Sequence, residues 1–177
     1  MTCSTLRLIV MGVSGCGKST MANALAARLG LQMVDGDDLH TPASVAKMRS
    51  GVALSDEDRW PWLDRVGAYL AEASSEQGRV VACSALRRAY RERIRGRAGD
   101  VCFLFLQGDF ALIERRLAQR VGHYMQPGLL DSQFRTLETP QPDETDVITL
   151  PITDPVDDLV NRALAALQSH QAQHAAN

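Results

Sequence analysis

The sequence contains no apolar run that approaches the length of a membrane-spanning helix, and no signal-peptide pattern precedes its first predicted strand. The 177 residues carry a formal net charge of −2, which gives no general attraction to nucleic acids or to anionic membranes. Aromatic residues make up only 5% of the chain, and the basic segment at residues 87–97 contains one of them, Tyr90. Nucleic-acid-binding surfaces interleave cations with stacking aromatic rings, so we do not expect a nucleic-acid-binding protein. The absence of a long apolar run means that we do not expect a membrane protein either.

Cysteine is also scarce. The cysteines show neither CxxC nor zinc-ligand spacing, and they are Cys3, Cys16, Cys83 and Cys102. Cys83 and Cys102 lie in apolar runs and are predicted to be core residues, which favours a reducing, cytoplasmic location. The chain has no internal repeat and no linker long enough to divide it, so its length predicts a single domain over residues 1–177.

One glycine-rich stretch carries a specific chemical signal. It has the spacing G-x-x-x-x-G-K-[ST] and consists of Gly12, Val13, Ser14, Gly15, Cys16, Gly17, Lys18 and Ser19, followed by Thr20. Glycines let successive backbone N–H groups turn inward around phosphate oxygens, and the following helix adds its positive N-terminus. Lys18 can neutralise the β- and γ-phosphates, and the Ser19 hydroxyl can ligate Mg²⁺. The stretch predicts a nucleotide-phosphate site, but alone it does not separate a kinase from a GTPase or a motor.

Short apolar runs alternate with helical stretches, at residues 6–11, 31–34, 80–83, 101–106 and 147–150. This alternation predicts an α/β protein with the P-loop NTPase fold, in which a central five-stranded parallel sheet is flanked by helices. A segment at about residues 120–135 is predicted to form a small lid, and the polar tail at residues 169–177 is predicted to be frayed. Since ligands bind beyond the carboxyl ends of such strands, the residues that follow strands are the first candidates for a site.

Two carboxylates follow the second predicted strand, Asp35 and Asp37. The third strand lacks the acidic residue that often holds Mg²⁺ in ATPases, and this pair is its natural replacement. Residues two apart in extended chain point the same way. One carboxylate could hold Mg²⁺ through water while the other accepts the proton of an attacking hydroxyl. The alternative is an acidic turn that only caps the next helix.

Cations near the predicted strand ends suggest an anionic second substrate. Arg59 could bind such an acceptor, or it could form an intrahelical ion pair with the acidic residues before it. Arg87 and Arg88 differ from the rest of their basic segment because they lie nearest a strand end. His40 could hydrogen-bond a polyhydroxyl compound, although a lone histidine is as often a structural donor.

Arg116 and Arg120 are spaced i, i+4 and precede the predicted lid, so both can emerge from one helix face. Arginines at this position could close over ATP and neutralise charge on the transferred phosphoryl group. Ordinary surface charge is the competing interpretation.

Six segments in this order resemble the small bacterial-type gluconate kinases, the gluconokinases of thermosensitive type. They are GVSGCGKST, DGDDLHTPASVAKMRSG, LSDEDRWPWL, CSALRRAYR, FLQGDFALIERRLAQRVGHYM and LLDSQFRTLE, and together they extend the resemblance over nearly the whole chain. The sequence departs from the family pattern where Thr41 separates His40 from Pro42, and where Tyr124 stands in place of the usual Phe after His123.

The resemblance implies ATP-dependent phosphorylation of D-gluconate at its terminal hydroxyl, a shikimate-kinase-like P-loop fold, Mg²⁺ and a homodimer. The catalytic residues it implies are Lys18, Asp37 and Arg120. ATP is assigned to residues 12–20 with Arg116 and Arg120, and Mg²⁺ to Ser19 and, via water, Asp35. The implied substrate-binding residues are Asp37, His40, Arg59, Ser84, Arg88, His123 and Gln133.

Two rival functions are considered beside this one. Another small-molecule kinase of the same fold would act on shikimate or a nucleoside monophosphate, but the predicted crevice offers few aromatic rings for stacking a nucleobase. A nucleotide-dependent switch of the GTPase type would need an Asn-Lys-x-Asp segment, and the sequence contains no Asn-Lys pair.

Overall fold

The computed structural model describes residues 5–119 and 128–175. Its strands are β1 (Arg7–Met11), β2 (Gln32–Asp35), β3 (Arg79–Ala82), β4 (Cys102–Gln107) and β5 (Val147–Pro151). They form a parallel sheet of five strands in the order β2-β3-β1-β4-β5. The predicted five-stranded parallel sheet is therefore confirmed.

Helices connect the strands and cover the sheet. They are α1 (Lys18–Leu29), α2 (Pro42–Arg49), α3 (Asp56–Ala71), α4 (Arg88–Ala98), α5 (Phe110–Ala118), α6 (Leu129–Thr136) and α7 (Val156–Ala175), with a short 3-10 helix at Gly36–Leu39. Within the described residues, none of these helices combines the length and apolarity that crossing a membrane requires.

The core lies on both faces of the sheet, as the alternation of β1 illustrates. Leu8 and Val10 pack in a cluster with α1 and α7, whereas Ile9 and Met11 pack in a second cluster with α3 and α4. All four side chains are fully buried. Burial on both faces explains why the parallel strands are nearly continuous apolar runs and not alternating ones.

The register of β1, β2 and β3 brings their carboxyl ends to one edge of the sheet. Ala82 of β3 is paired with Val10 of β1 on one side and with Asp35 of β2 on the other. The chain segments that leave these three strands consequently meet beside one another, as ligand sites in such sheets require.

Side-chain caps fix the starts of two helices, α3 and α5. Ser55 accepts a hydrogen bond from the Asp58 N–H at 3.3 Å, and the Asp58 carboxylate accepts one from the Ser55 N–H at 2.8 Å, which forms a capping box for α3. Asp109 accepts from the Leu112 N–H at 2.7 Å and caps α5.

The predicted frayed tail is wrong as far as Ala175, because α7 continues through it. Leu159 and Leu167 of α7 are buried, which anchors the helix against the sheet. Farther along, His170 Nε2 lies 3.2 Å from the carbonyl oxygen of Thr145 and donates to it in the tautomer that carries the proton there. A polar composition did not exclude a helix, since alanine and glutamine both favour one.

A buried ion-pair network fastens α4 to the segment before β5. Arg91 is fully buried and forms two hydrogen bonds with the Glu144 carboxylate, at 2.6 and 2.8 Å. Arg95 donates to Glu144 at 2.9 Å and to both oxygens of Asp146 at 2.6 and 2.8 Å. Hydrogen bonds to Arg91, and then to Arg95, hold the pKa of Glu144 at about 2, below its ordinary value of 4.5.

We expect Glu144→Gln to lower the free energy of unfolding by about 3 kcal/mol, because Arg91 would stay buried without a charged partner. Urea denaturation at neutral pH measures this loss. An ionised Glu144 stabilises the fold above its unfolded-state pKa, and this contribution disappears as pH falls toward the folded-state pKa of about 2. The difference between wild type and variant should therefore shrink as pH falls below 4.5.

Glu72→Gln is the matched control, since Glu72 is exposed and pairs with Arg79 at 2.6 Å. It should cost less than about 1 kcal/mol. Equal losses of unfolding free energy in both variants would contradict the larger contribution expected of the buried pair.

Candidate active site

The phosphate-binding loop joins β1 to α1, and two of its glycines are required by close packing. Gly12 and Gly15 have φ angles of 143° and 83°. A Cβ atom at Gly12 would lie 2.9 Å from the carbonyl oxygen of Leu106, and one at Gly15 would lie 2.6 Å from Cγ of Leu117. The loop therefore rests directly on β4 and α5, with no room for side chains at these positions.

Lys18 and Cys16 have different surroundings within this loop. The Lys18 ammonium donates to the Val13 carbonyl oxygen at 3.0 Å, which holds the charge across the loop. Cys16 is buried, and its burial raises the pKa of its thiol. Because only the thiolate is reactive, Cys16 acts as a packing residue here.

Asp35 connects the loop to the turn that follows β2. Its Oδ2 accepts a hydrogen bond from the Ser19 hydroxyl at 2.7 Å, and its Oδ1 accepts from the Asp37 N–H at 3.1 Å. Asp35 also caps the 3-10 helix, which is the role considered as an alternative in the sequence analysis. It therefore caps a helix and contacts Ser19 at the same time. Two oxygen atoms that can act as metal ligands, one of a hydroxyl and one of a carboxylate, thus lie side by side at the N-terminus of α1.

Asp37 extends into the crevice beyond this pair. Its side chain is 91% exposed and forms no hydrogen bond through its carboxylate within the described part of the chain. Partial desolvation, and then the like charge of Asp35, raise the pKa of Asp37 above its ordinary value of 3.8. An open carboxylate of raised pKa is suited to accept a proton.

The turn from Asp35 to His40, here called the acid turn, is held from behind by Trp62 of α3. The Trp62 indole N–H donates to the Gly36 carbonyl oxygen at 2.6 Å, and its ring stacks on His40 with centroids 4.3 Å apart. A Cβ atom at Gly36 would lie 2.7 Å from the Ala82 carbonyl oxygen, so the turn fits closely against β3. The sequence gave no signal for this hydrogen bond.

His40 is the last residue of the acid turn and lies close to Asp37. Its side chain is only 7% exposed, with Nε2 4.0 Å from a carboxylate oxygen of Asp37. Its Nδ1 is buried and has no hydrogen-bond partner among the described residues. Burial lowers the pKa of His40, partly offset by Asp37, and the nearby Arg59 lowers it further. A neutral imidazole at this position follows.

Arg59 lies one helical turn from Trp62 and contacts residues of two helices. Its Nη1 donates to the Tyr90 hydroxyl at 3.3 Å and lies 3.5 Å from a carboxylate oxygen of Asp56. The intrahelical ion pair considered from the sequence is therefore present. This ion pair leaves 29% of the Arg59 side chain exposed, so Arg59 can still contact a ligand.

Acidic side chains hold the guanidinium group of Arg88. Its Nε donates to Glu92 at 3.0 Å and its Nη2 donates to Asp143 at 2.7 Å. Its backbone N–H donates to the Glu138 carboxylate at 2.7 Å. The structure does not bring Arg88 together with the other predicted site residues, whereas the neighbouring Arg87, flagged only for its position near a strand end, contacts Asp56.

Ser84 lies at the carboxyl end of β3 and reaches the phosphate loop through its backbone. Its carbonyl oxygen accepts a hydrogen bond from the Gly12 N–H at 3.3 Å. The next residue, Ala85, is fully buried and has a φ of 43°, a left-handed conformation that strains any residue other than glycine. Such strain persists only where surrounding contacts fix the turn.

Gln133 of α6 contacts the phosphate loop. Its Oε1 accepts from the Ser14 N–H at 2.5 Å, and its Nε2 donates to the Ser14 hydroxyl at 3.0 Å. The helix that follows the predicted lid is thereby connected to the nucleotide site by a pair of hydrogen bonds.

Of the two arginines predicted to close over ATP, Arg116 lies within the described residues. Arg116 donates to the Ile152 carbonyl oxygen at 2.5 Å and so connects α5 to the turn after β5. Arg120 and His123 lie outside the described residues. Of the predicted lid, residues 129–136 form α6.

The donors present fit a hard divalent cation held jointly with a nucleotide. No group of three or more His, Cys, Asp or Glu side chains in the described part of the chain could hold a metal ion by itself. Mg²⁺ commonly takes one or two carboxylates together with substrate phosphates and water. The adjacent Ser19 and Asp35 oxygens match that coordination.

Comparison with known proteins identifies the family. Residues 8–139 match the AAA domain family model AAA_33. The chain is 41% identical over 161 residues to the thermosensitive gluconokinase of Escherichia coli K12, across 90% of this chain and 86% of that protein.

The chain belongs to the gluconokinase family. The resemblance inferred from its six segments is thus confirmed. Members of this P-loop kinase family use ATP with a divalent metal ion.

Solved structures agree with this family membership. The gluconokinase of Sinorhizobium meliloti 1021 superimposes with a TM-score of 0.84 at 40% identity, covering 93% of both chains. The shikimate kinase of Aquifex aeolicus superimposes with a TM-score of 0.59 at 16% identity, covering 94% of this chain and 99% of that one. The second similarity concerns the fold alone and confirms the predicted shikimate-kinase-like architecture.

We expect Gln133→Ala to lower kcat/KM for ATP by about tenfold, because the Ser14 turn would lose two hydrogen bonds worth about 1 kcal/mol each, not fully additive. The KM for the phosphoryl acceptor should change by less than about twofold, since Gln133 contacts the phosphate loop. Steady-state kinetics with each substrate varied in turn provide the measurement. An increase confined to the acceptor KM would instead support the acceptor role predicted from the sequence.

Proposed function

We propose that this chain transfers the γ-phosphoryl group of ATP to the terminal hydroxyl of D-gluconate, which gives ADP and 6-phospho-D-gluconate in carbohydrate acid catabolism. The observation that carries the reaction class is the hydrogen bond between Ser19 and Asp35, which joins the phosphate loop to the turn that presents Asp37. The gluconokinase relatives support gluconate as the acceptor.

Each part of the site has a role in this proposal. Backbone N–H groups of residues 12–20 and the Lys18 ammonium hold the phosphates, while Ser19 and, through water, Asp35 would hold Mg²⁺. A bound Mg²⁺ would neutralise charge on the β- and γ-phosphates. Two arginines, Arg116 and Arg120, would stabilise the transferred group.

Asp37 is the proposed base. The gluconate hydroxyl oxygen forms a bond to Pγ, the bond from Pγ to the β–γ bridging oxygen breaks, and ADP leaves with that electron pair. The hydroxyl proton passes to the Asp37 carboxylate. The exposure of this carboxylate and its raised pKa support the role.

The acceptor hydroxyls would be bound by polar groups along the crevice. His40, Ser84 and Arg59 are the predicted residues whose positions support contact, and His123 belongs to the proposal through the family resemblance alone. Arg88 is left out because two carboxylates already hold its guanidinium. Gln133 is reassigned to the ATP side because it contacts Ser14.

We further propose that residues 1–177 form one kinase domain, because the sheet draws its strands from residues 7 to 151 of the chain. A homodimer is proposed from the family resemblance. The buried, unpaired Cys16, Cys83 and Cys102 support a reducing, cytoplasmic location.

An acceptor panel tests the reaction. ADP release from ATP and Mg²⁺ is followed with gluconate, shikimate, AMP or adenylyl sulfate present in turn. Gluconate alone should raise the rate, by about tenfold or more, because sites built for polar groups strongly reject acceptors that leave those groups unpaired. Lys18→Met, prepared identically, controls for contaminating kinases.

Turnover with another acceptor in preference to gluconate would contradict the proposal. Equal affinity for ATP and GTP, without any acceptor-stimulated ADP release, would instead indicate a nucleotide-dependent switch.

We expect Asp37→Asn to lower kcat by about 10²- to 10⁴-fold, the usual contribution of general base catalysis, while ATP still binds in calorimetry. In the wild type, kcat/KM should fall as pH falls through the raised pKa of Asp37, because the protonated carboxyl group cannot accept a proton. This acid limb should be absent from the variant.

Asp38→Asn is the matched control because Asp38 is an exposed neighbour in the same turn. Its kcat should stay within about twofold of wild type, as for a surface charge outside the reacting groups. Near-normal turnover in Asp37→Asn would show that positioning suffices without this carboxylate.

A further inference from the structure

Arg59 of α3 and Arg87, the residue just before α4, lie beside the ring of one tyrosine. The guanidinium carbons of Arg59 and Arg87 lie 5.7 and 5.8 Å from the centroid of the Tyr90 ring. Asp56 accepts from the Tyr90 hydroxyl at 2.5 Å and from Arg87 Nη1 at 2.8 Å, and it lies 3.5 Å from Arg59. We call these four residues the arginine pair site.

The arginine pair site has one more positive charge than negative. Arg59 and Arg87 share the single carboxylate of Asp56. Among the described residues, each guanidinium donates one hydrogen bond and retains further N–H groups for a ligand. Both side chains are partly open, with 29% and 40% exposure.

Arginines of α4 also pair with carboxylates. Arg93 forms a bidentate pair with Asp64, with both distances 2.7 Å. Arg91 and Arg95 are enclosed by Glu144 and Asp146. Arg97 Nε also donates to Asp64, at 3.3 Å, so Arg93 and Arg97 share one carboxylate just as Arg59 and Arg87 do. What distinguishes the arginine pair site is therefore its position near the acid turn, and not its ratio of charges.

The arginine pair site is connected to the phosphoryl-transfer end by a short series of contacts. Trp62, one helical turn after Arg59 in α3, stacks on His40 with centroids 4.3 Å apart, and His40 Nε2 is 4.0 Å from a carboxylate oxygen of Asp37. A ligand that extends from Asp37 past His40 therefore reaches Arg59 next.

Arg87 is presented by a turn that is fixed on several sides. The fully buried Arg91 donates to the carbonyl oxygens of Ala85 and Leu86 at 3.2 and 3.3 Å. Ser84 accepts from Gly12 of the phosphate loop. These bonds maintain the left-handed conformation of Ala85, so the position of Arg87 is set relative to the nucleotide site.

We propose that Arg87 and Arg59 bind the carboxylate of the acceptor, and that this anion, with Asp56, balances the two guanidinium charges. The inference rests on the proposed function, which makes the acceptor a polyhydroxy acid with its carboxylate at the end opposite the reacting hydroxyl. Guanidinium groups suit this task because their planar N–H pairs match a carboxylate in geometry. Arg87 thereby becomes a specificity-determining residue that selects the acid over the uncharged polyol or amide.

Steady-state kinetics on the full-length enzyme test the inference. Arg87→Gln should raise the KM for gluconate by about 10- to 100-fold, the range expected for a lost charge-assisted hydrogen bond. The KM for ATP should stay within about twofold, since binding of ATP does not use this residue. The preference for gluconate over D-gluconamide, measured as a ratio of kcat/KM values, should fall by a similar factor, and Arg87→Lys should restore part of it.

Arg93→Gln is the matched control, because it also removes an arginine of α4 that pairs with an aspartate of α3. It should leave the gluconate KM and the gluconamide ratio within about twofold of wild type, as expected for a surface ion pair. Should Arg87→Gln fail to fold, Arg87→Lys still tests the inference, because the lysine keeps the charge but loses the planar pair of donors.

The outcomes separate this inference from the proposed function. Wild-type enzyme that does not phosphorylate gluconate overturns both. Normal wild-type activity with an unchanged gluconate KM in Arg87→Gln, or an unchanged gluconamide ratio, overturns the inference alone. So does an increase in gluconate KM that appears in Arg88→Gln and not in Arg87→Gln.

Discussion

The register of β2, β3 and β1 is the constraint on which the candidate site depends. Asp35 ends β2 beside Ala82, and Ala82 is paired with Val10 just before the phosphate loop. This alignment places the Asp35 carboxylate 2.7 Å from the Ser19 hydroxyl. A slip of β2 by one residue would turn Asp35 to the opposite face of the sheet, and the loop and the acid turn would no longer form one site.

The two ends of the crevice carry side chains of opposite charge. Carboxylates lie beside the phosphate loop, where Lys18 and the N-terminus of α1 offset their repulsion of a nucleotide. Guanidinium groups lie at the other end, where α3 and α4 meet. An acceptor with a neutral hydroxyl at one end and an anion at the other has the charge distribution that complements this arrangement.

Local patterns in the sequence were sufficient for much of this description. The phosphate loop and the strands depend on residues close together in sequence, and the structure has them as predicted. Asp35 and Asp37 were found because they directly follow a strand. The end of α7 was missed because its polar composition was taken as a sign of fraying, although the residues involved favour helix.

Contacts between residues distant in sequence could not be predicted in the same way. Gln133 meets Ser14 across 119 residues, and Arg88 meets Asp143 across 55. Nothing local distinguishes Arg87 from Arg88, since both follow β3 and both are arginines. Which one faces the crevice depends on the backbone at the start of α4 and on where the segment before β5 places its acids.

Helix α3 supports both ends of the crevice at once. Its Trp62 holds the Gly36 carbonyl, its Arg65 donates to the His40 carbonyl at 3.5 Å, and its Arg59 and Asp56 belong to the cationic end. A rigid displacement of α3 would therefore carry the acid turn and the guanidinium of Arg59 together. Such a displacement would keep the distance between the acid turn and Arg59 constant. Only the distance of both from the nucleotide would change.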